Sequence, residues 1–288
     1  MQGHLMGTFL EQASDPHVDL RRQVLASGAA LREPAPTYLR ARASNFPDEG
    51  GDELLAELHQ RGFGVVWLDR PLSNDRFIAL GILLGTAMPE IDTAVRPYVD
   101  SGVILNLIAE YDATRDVNLE PFATNFLTLH SEGSGRPVRR QPRYIVLMCC
   151  EPGLASAART VLVSMAKVAG RLTLEQLRSL GQIRYRRNDE GPSIVRSVAE
   201  RTVFSFRDFA QQPLQWVSTD AVGDPDEVNA TIRGLLAAMY APGVATGVVW
   251  SPGMVVVIDN TFYFHGRTAG QLSTSIRRRH LKRLRIVV

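Results

Sequence analysis

The stretch LTLHSEGSGRP, residues 127–137, places His130 and Glu132 two positions apart, at the end of an apolar-alternating run and just before two glycines. Residues i and i+2 of a strand project to the same face of a sheet, so this imidazole and this carboxylate could occupy adjacent positions on one metal ion. A His-x-Glu pair is a weak signal when it stands alone, because a buried ion pair with a nearby arginine would look the same. The candidates for such a pair are Arg136, Arg139 and Arg140.

A second histidine resembles His130 in its surroundings. His265 also ends a strongly β run and is followed at once by a glycine-bearing turn. An imidazole arriving from this distant strand would complete a set of three ligands and leave positions open, which is typical of non-haem Fe(II) oxygenases. We predict surface positions for three of the other histidines: His4, His17 and His59.

The elements that must position these residues are short strands and a few helices. Helical spacing of apolar residues predicts helices in DELLAELHQRGF, SNDRFIALGILLGTAM, TLEQLRSLGQ and DPDEVNATIRGLLAAMYA. Short β-branched runs separated by Gly, Pro and charge occupy the middle and the end of the chain. This order predicts an α+β protein built on a β-sandwich or barrel, with helices against one face. We expect a lead-in over residues 1–50 packed on a single domain over 51–288, which carries helical insertions over about 165–240.

Composition limits the classes of function. The chain has 288 residues, 45% of them hydrophobic, and can bury a large core. A net charge of +2 gives no general reason to expect nucleic acid or an anionic membrane as a partner. The chain shows neither the features of a signal peptide nor an apolar run of roughly 20 residues, so we predict a cytoplasmic protein. Cys149 and Cys150 are adjacent in a predicted strand, which favours two reduced thiols.

Two C-terminal stretches, PGMVVVIDNTFYFHGRTAG and RRRHLKRLRI, resemble the signature of the Fe(II)/2-oxoglutarate-dependent dioxygenases, in the taurine dioxygenase and clavaminate synthase-like family. The upstream strings LHSE and QPRYIVLMCCEPG resemble the clavaminate synthase and amino-acid oxygenase subgroup, which uses His-x-Glu where taurine dioxygenase uses His-x-Asp. The resemblance extends from about Gly51 to the end of the chain. It implies a core of the double-stranded β-helix, or jelly-roll, type.

The resemblance also implies roles for individual residues. His130, Glu132 and His265 would be the iron ligands. Arg279, at 279 − 265 = 14 positions after the distal histidine, falls where the family places the arginine that binds the far carboxylate of 2-oxoglutarate. A guanidinium suits this role because its planar fork matches a carboxylate and keeps its charge. Thr160 matches the position whose hydroxyl helps to hold the same carboxylate.

Further positions are candidates for the substrate pocket or for structural roles. Arg283 resembles a second arginine that borders the substrate pocket in relatives, and three more residues are possible substrate contacts: Asn106, Glu110 and Arg136. The remaining cations of the last strand could form a solvated basic edge that discourages strand pairing: Arg277, Arg278, Lys282 and Arg285. We expect Asp259 and Asn260 to orient the His265 strand, and Arg267 to be structural.

The implied activity is oxidation of an unactivated C–H bond with Fe(II), 2-oxoglutarate and O₂, yielding succinate and CO₂. Hydroxylation is the expected outcome, with desaturation, epoxidation or cyclisation as variants, and the expected substrate is a small amino-acid-derived or natural-product molecule of secondary metabolism. Nucleic acid and membranes are not expected partners, and a monomer and a homo-oligomer both stay open. The alternative is a non-catalytic β-barrel binding module that docks its partner through the basic C-terminal strand and needs no metal.

Overall fold

The computed structural model describes residues 5–32, 38–114, 116, 119–153, 158–186, 190–210, 212–219, 224–270 and 278–288. Within these ranges the chain forms strands β1 to β17 and α-helices α1 to α6. The strands are Leu5–Phe9, Tyr38–Ala41, Phe63–Leu68, Thr86–Ala87, Val99–Asp100, Ile104–Ile108, Leu127–His130, Tyr144–Glu151, Thr160–Ser164, Ile183–Tyr185, Val195–Val198, Arg201–Phe204, Leu214–Ser218, Ala245–Val248, Met254–Asp259, Tyr263–Arg267 and His280–Val287. The α-helices are Pro16–Arg21, Gly51–Arg61, Asn74–Leu84, Met165–Ala169, Leu174–Leu180 and Pro225–Met239. A π-helical turn spans Arg22–Ala26, and 3-10 turns span Arg96–Tyr98, Glu120–Phe122 and Val138–Arg140.

Two sheets carry most of the strands. The larger has the order β2-β3-β15-β8-β17-β6-β5, with β4 added against β17, and the smaller has the order β14-β9-β16-β7. Neighbouring strands are antiparallel except for β2, which runs parallel to β3. The mixed helix and strand composition agrees with the predicted class.

A shared apolar core lies between the two sheets. Strand β8 shows how the alternation works, because Ile145 and Leu147 belong to the core that faces the small sheet, whereas Val146 and Met148 belong to the core on the opposite face. The small sheet contributes Leu162 and Val248 to the same inner cluster. The large sheet is therefore buried on both faces, which explains why β8 and β15 are nearly continuous apolar runs.

Helices α2 and α3 cover the outer face of the large sheet, as the sequence predicted. Gly62 ends α2 with a φ of 69°, a left-handed conformation that glycine adopts without strain. The Ser73 hydroxyl accepts a hydrogen bond from the Arg76 N–H at 3.3 Å and so caps α3. Phe77 and Leu80 are fully buried. Leu83 is 36% exposed because it lies beside the apolar stripe of the helix rather than on it.

The region from 165 to 240 contains both helices and strands. It contains the predicted helices α5 and α6 and the short α4, but also strands β10 to β13. Strands β1, β13 and β10 form a third sheet, and β11 pairs with β12. Together with residues of the small sheet such as Leu129 and Phe264, these elements build a second large apolar cluster. The outer face of the small sheet is therefore covered as completely as that of the large one.

A buried ion cluster ties the lead-in to this region. The Arg21 guanidinium donates to Asp208 Oδ2 at 2.6 Å and also binds Glu11, and both carboxylates are almost fully buried. The Tyr240 hydroxyl donates to the same Asp208 oxygen at 2.7 Å. His17, predicted on the surface, is instead fully buried and lies 3.0 Å from Glu11, because the lead-in folds against the core.

Three smaller predictions have clear outcomes. Both cysteines are free thiols, with Cys149 buried and Cys150 partly buried. His59 is exposed on α2, as predicted, whereas His4 lies outside the described residues. Across the part of the chain that the structure describes, the helices are too short or too polar to cross a bilayer.

Substitution of Arg21 tests the ion cluster. We expect Arg21→Ala to lower the free energy of unfolding by about 3–5 kcal/mol, because it leaves two buried carboxylates without their shared cation. The neighbouring Arg22 pairs with Asp19 on the surface, where both side chains are about 70% exposed, so Arg22→Ala is a matched control that should change little. Thermal and denaturant unfolding of the two variants measure the difference. Equal stability in both would contradict the structural role of the cluster.

Candidate metal centre

The pairing of β7 with β16 brings the two predicted imidazoles together. The two strands run antiparallel, and His265 lies directly opposite His130, with an irregularity in register between His265 and Arg267. The ring centroids are 4.3 Å apart, and both side chains are about nine-tenths buried. Residues that are 135 positions apart in sequence, 265 − 130, thus share one face of one sheet.

Glu132 completes a cluster that could hold a metal ion. Its Oε2 atom lies 3.7 Å from His130 Nε2 and 3.5 Å from His265 Nε2. One ligand atom from each of the three residues lies within 4.8 Å of the other two. The main-chain carbonyl of Thr128 lies 2.8 Å from His130 Nδ1, which fixes the N–H on that nitrogen and leaves the Nε2 lone pair facing Glu132. Two imidazoles and one carboxylate are the donor set typical of non-haem Fe(II) sites.

The charge states of these groups suit a metal ligand. Burial, together with the neighbouring His265, lowers the pKa of His130 to about 4, so the imidazole is neutral near pH 7. Burial alone would raise the pKa of Glu132. The positive charge of the nearby Arg283 guanidinium opposes burial and holds the pKa of this carboxyl well below its usual range.

Asn260 holds the backbone of Glu132. The Glu132 N–H donates to Asn260 Oδ1 at 2.7 Å, and Asn260 Nδ2 donates to the Glu132 carbonyl at 3.0 Å and to the Pro142 carbonyl at 3.0 Å. Asp259 instead binds Arg143 at 2.7 Å and the N–H of Thr261 at 2.8 Å, which shapes the turn before β16. Of the two residues expected to orient the His265 strand, Asn260 therefore acts on Glu132.

A cavity of about 570 Å³ opens at the cluster. Its walls come from both sheets, and its apolar floor includes Leu105, Leu147 and Leu281. Seven of the predicted site residues line it: His130, Glu132, Thr160, His265, Arg279, Arg283 and Arg136. The other two, Asn106 and Glu110, are not among its lining residues.

Asn106 and Glu110 form hydrogen bonds with residues that do not line the cavity. The Asn106 amide donates to the Tyr98 carbonyl at 3.1 Å, and its oxygen lies 2.9 Å from His280 Nε2, on the face of the large sheet turned away from the cavity. Glu110 accepts a hydrogen bond from the Tyr98 hydroxyl at 2.5 Å. Strand alternation explains the first case, because Leu105 and Leu107 point into the cavity on either side of Asn106. The expected substrate contacts of these two residues are therefore not supported.

Arg279 is a partly buried cation in the cavity wall. Burial lowers its pKa to about 10, and the hydrogen bond that the structure gives it is to the Pro121 carbonyl at 3.1 Å. Among the described residues, no carboxylate lies within ion-pair distance of this guanidinium. Thr160 lies on the same wall and accepts a hydrogen bond from Trp250 Nε1 at 3.2 Å, so its own proton can be donated into the cavity. Together they could hold a carboxylate.

Arg267 shows the opposite situation. Its guanidinium donates to four main-chain carbonyls at 2.6–3.1 Å, those of Glu120, Pro121, Ala123 and Asn125. These bonds fasten the segment before β7 to strand β16. The expected structural role of Arg267 agrees with this placement.

The basic C-terminal strand is not an edge. Strand β17 lies between β8 and β6, and its inward face carries Arg283 and Arg285 beside Glu132 and Glu90. The predicted surface position of Arg285 is therefore wrong, since this residue is only 9% exposed. Arg278 is exposed as expected, Lys282 is half-buried and bonded to Asn74, and Arg277 lies outside the described residues.

Several residues of the cavity wall were missed: Glu90, Tyr185, Arg207 and Arg285. The signal for Arg285 was present, because the two-residue period that turns Arg283 inward turns Arg285 inward as well. Glu90 lies in a loop and carries no local pattern that predicts a buried carboxylate. Its partners are 193 and 195 positions away in sequence.

The family model described as "Taurine catabolism dioxygenase TauD, TfdA family" matches residues 32–285 of this chain. The chain belongs to this family. The predicted family and the dioxygenase class are thus confirmed. No curated protein sequence matches the chain closely enough to add a relative.

Solved structures resemble the fold at low sequence identity. PvcB from Pseudomonas aeruginosa has a TM-score of 0.63 at 19% identity, with 89% of this chain and 84% of that chain covered. The non-heme iron oxygenase OrfP, in complex with Fe and α-ketoglutaric acid, has a TM-score of 0.63 at 18% identity, covering 85% of this chain and 81% of that one. An asparagine oxygenase in complex with Fe(II), 3-hydroxyasparagine and succinate has a TM-score of 0.61 at 15% identity, covering 85% and 81%.

Removal of the Asn260 amide tests how Glu132 is held. We expect Asn260→Ala to weaken Fe(II) binding by about 10- to 100-fold, because the backbone of a ligand residue loses its support. We also expect a loss of about 1–3 kcal/mol in stability from unpaired buried groups. Asn229→Ala is a suitable control, since this amide bonds Trp216 and Thr8 far from the cavity. Metal titration of both variants separates the effects, and unchanged Fe(II) affinity in Asn260→Ala would contradict the role.

Proposed function

We propose that this chain is an Fe(II)- and 2-oxoglutarate-dependent oxygenase that binds iron through His130, Glu132 and His265. The observation that carries the proposal is the convergence of these three side chains on one point at the mouth of the cavity. The neutral imidazole of His130 and the ionised carboxylate of Glu132 suit a divalent cation, because metal ligands bind in their deprotonated forms. The iron named with the structural relatives agrees with the same donor set.

Arg279 and Thr160 are the proposed binding residues for the far carboxylate of 2-oxoglutarate. The support is electrostatic, since Arg279 is a partly buried guanidinium whose pKa is lowered by burial and which has no carboxylate partner among the described residues. A dicarboxylate that enters the cavity supplies the missing partner, and a bidentate pair of this kind is stronger than a neutral hydrogen bond. The α-ketoglutaric acid named with OrfP is a molecule of this class.

The chemistry follows from what each residue does when the site is loaded. Iron with 2-oxoglutarate and O₂ supplies the oxidising power that converts an unactivated C–H bond, most simply to an alcohol, while 2-oxoglutarate becomes succinate and CO₂. Glu132 and the two histidines would hold the metal ion, and the cavity beside them would leave room for the cosubstrate. Arg279 fixes the far end of the cosubstrate, and the apolar floor around Leu147 and Leu281 keeps water from the reacting carbon.

The proposed substrate is a small, amino-acid-derived or natural-product molecule. A cavity of about 570 Å³ has room for 2-oxoglutarate and one further molecule of modest size. Asp92 and Arg136 both line its mouth, so charges of both signs are available to a substrate that carries an amino and a carboxylate group. Hydroxylated amino acids are named with the asparagine oxygenase and with OrfP, and PvcB is named with an isonitrile synthetic pathway.

We further propose that the two facing sheets form the jelly-roll core of a single domain over residues 51–288, with the lead-in of residues 1–50 packed on it. The inner cluster shared by both sheets supports this arrangement. A reducing compartment such as the cytoplasm fits the two free thiols. The alternative of a docking module with a basic C-terminal strand is wrong, because Arg279, Arg283 and Arg285 all line the cavity instead of an outer surface.

Iron binding tests the ligand assignment. We expect the metal-free protein to bind one Fe(II) per chain under anaerobic conditions, and His130→Ala or His265→Ala to abolish both binding and succinate formation. His59→Ala provides the control, because this histidine is exposed on α2 and far from the cluster in sequence. Retention of stoichiometric iron by the variant that lacks both His130 and His265 would overturn the assignment.

Cosubstrate binding tests Arg279. Loss of its guanidinium leaves the far carboxylate of 2-oxoglutarate buried and unpaired, which costs on the order of 2–5 kcal/mol. Arg279→Ala should therefore raise the apparent requirement for 2-oxoglutarate by roughly 30-fold or more. The adjacent Arg278 is exposed, so Arg278→Ala should leave this requirement unchanged. Similar requirements in the two variants would contradict the proposed role of Arg279.

A further inference from the structure

Three charged side chains surround the outer oxygen of Glu132 and form with Glu132 a bracket of four charges: Arg283, Arg285 and Glu90. Whereas Oε2 faces the two imidazoles, Oε1 lies 3.6 Å from Arg283 Nη1 and 3.5 Å from Arg285 Nη1. On their other side, the two guanidiniums bind Glu90, with Arg283 Nη2 at 3.1 Å from Oε1 and Arg285 Nη2 at 2.6 Å from Oε2. The four side chains are between 3% and 13% exposed, so the bracket is a buried group.

The main chain around the bracket is held firmly. Arg283 and Arg285 are i and i+2 on β17, which is hydrogen-bonded to strands on both sides. The loop that carries Glu90 is fastened by the Met88 N–H to the Arg285 carbonyl at 2.7 Å and by the Glu90 N–H to the Gly102 carbonyl at 2.9 Å. Strand β17 therefore fixes the main chain of the two arginines, and Glu90 fixes their guanidiniums.

The charges within the bracket balance. Two guanidiniums lie between two carboxylates, and buried charges of this kind persist only when each has its partner. The arginines lie closer to Glu90 than to Glu132, which identifies Glu90 as their main anchor. Glu132 thereby keeps one oxygen, Oε2, without a guanidinium against it.

A carboxylate can bind a metal ion through one oxygen or through both, and the second mode uses a coordination position that a cosubstrate would need. We propose that Arg283 and Arg285, anchored by Glu90, are positioning residues that restrict Glu132 to a single metal-binding oxygen. The proposal rests on the ligand assignment made above. It gives Arg283 a different task from the substrate contact that the sequence suggested, because its guanidinium already lies between two carboxylates.

This restriction can be measured as the number of coordination positions on the bound metal ion that water molecules occupy. Mn(II) alone serves as the probe, and the relaxation rate of water protons reports how many water molecules exchange at the bound ion. The test variant combines Glu90→Gln, Arg283→Gln and Arg285→Gln. Glu132 is then the one charge of the bracket that remains, and the bound metal ion neutralises it. Arg285→Gln alone is the milder variant, and both are compared with wild type at equal Mn(II) occupancy.

We expect the triple variant to relax water protons about one-third less than wild type, since Oε1 of Glu132 would replace one of roughly three exchanging water molecules. The single variant should lie between the two. On metal-saturated protein, 2-oxoglutarate should bind the triple variant about tenfold more weakly, because it must first displace that oxygen. Arg233→Gln is the control for loss of an ion pair away from the cavity, that with Asp15, and should match wild type in both measurements.

Equal water relaxation in wild type and both bracket variants would overturn the proposal, whatever their melting temperatures. A merely structural cluster would give this result together with lower stability of the metal-free protein. His130→Ala keeps the two proposals apart, because it should lose the Mn(II) signal altogether. If His130→Ala binds Mn(II) like wild type, the ligand assignment itself fails. If His130→Ala does not bind Mn(II) but the bracket variants relax water protons like wild type, only the proposed role of the bracket fails.

Discussion

Only one register of strands β7 and β16 places both imidazoles on the inner face of the sheet and their apolar neighbours on the other face. The lining of the cavity depends on this register. His130 and His265 lie opposite each other on the inner face, while Leu129 and Phe264, their neighbours in sequence, are fully buried in the apolar cluster on the other face. A shift of either strand by one residue would put an imidazole into that cluster and an apolar side chain into the cavity. The register of the metal ligands is thus set by hydrophobic burial behind the sheet, rather than by any attraction between the ligands themselves.

The arginines inside the protein differ in how their charge is compensated. This difference distinguishes arginines with a structural role from the one proposed to bind a ligand. Arg267 is surrounded by main-chain carbonyls, and Arg283 and Arg285 lie between Glu90 and Glu132. Among the described residues, Arg279 donates to the Pro121 carbonyl and has no carboxylate partner. A cation that is removed from water without such compensation is costly. This shortfall supports the proposed anion site at Arg279, away from the carboxylate bracket.

The metal cluster and the two-sheet core could be predicted because both rest on local patterns. His-x-Glu at a strand end, a second histidine before a glycine turn, and period-two apolar runs are all visible in a few residues each. Glu90 could not be predicted, since its role depends on β17 lying in the middle of a sheet and on a loop nearly two hundred residues away. The surface position assigned to Arg285 failed because an abundance of cations suggested an edge strand, although the two-residue period that it shares with Arg283 indicated an inward position. His17 was misplaced because its partner, Glu11, becomes buried only when the lead-in docks.

The cluster of Arg21, Glu11, Asp208 and Tyr240 has a consequence for how such a chain can diverge. The Tyr240 hydroxyl also accepts the N–H of Leu129 at 3.1 Å, next to His130, so the lead-in, the 165–240 region and the ligand strand meet at one group of polar atoms. A change of charge at Asp208 is tolerable only with a matching change at Arg21. A segment that replaced the lead-in or the 165–240 region would therefore have to preserve this pairing. The beginning of the chain and its central insertion are therefore expected to have been inherited as one unit, with covarying residues, although nearly two hundred positions separate them in sequence.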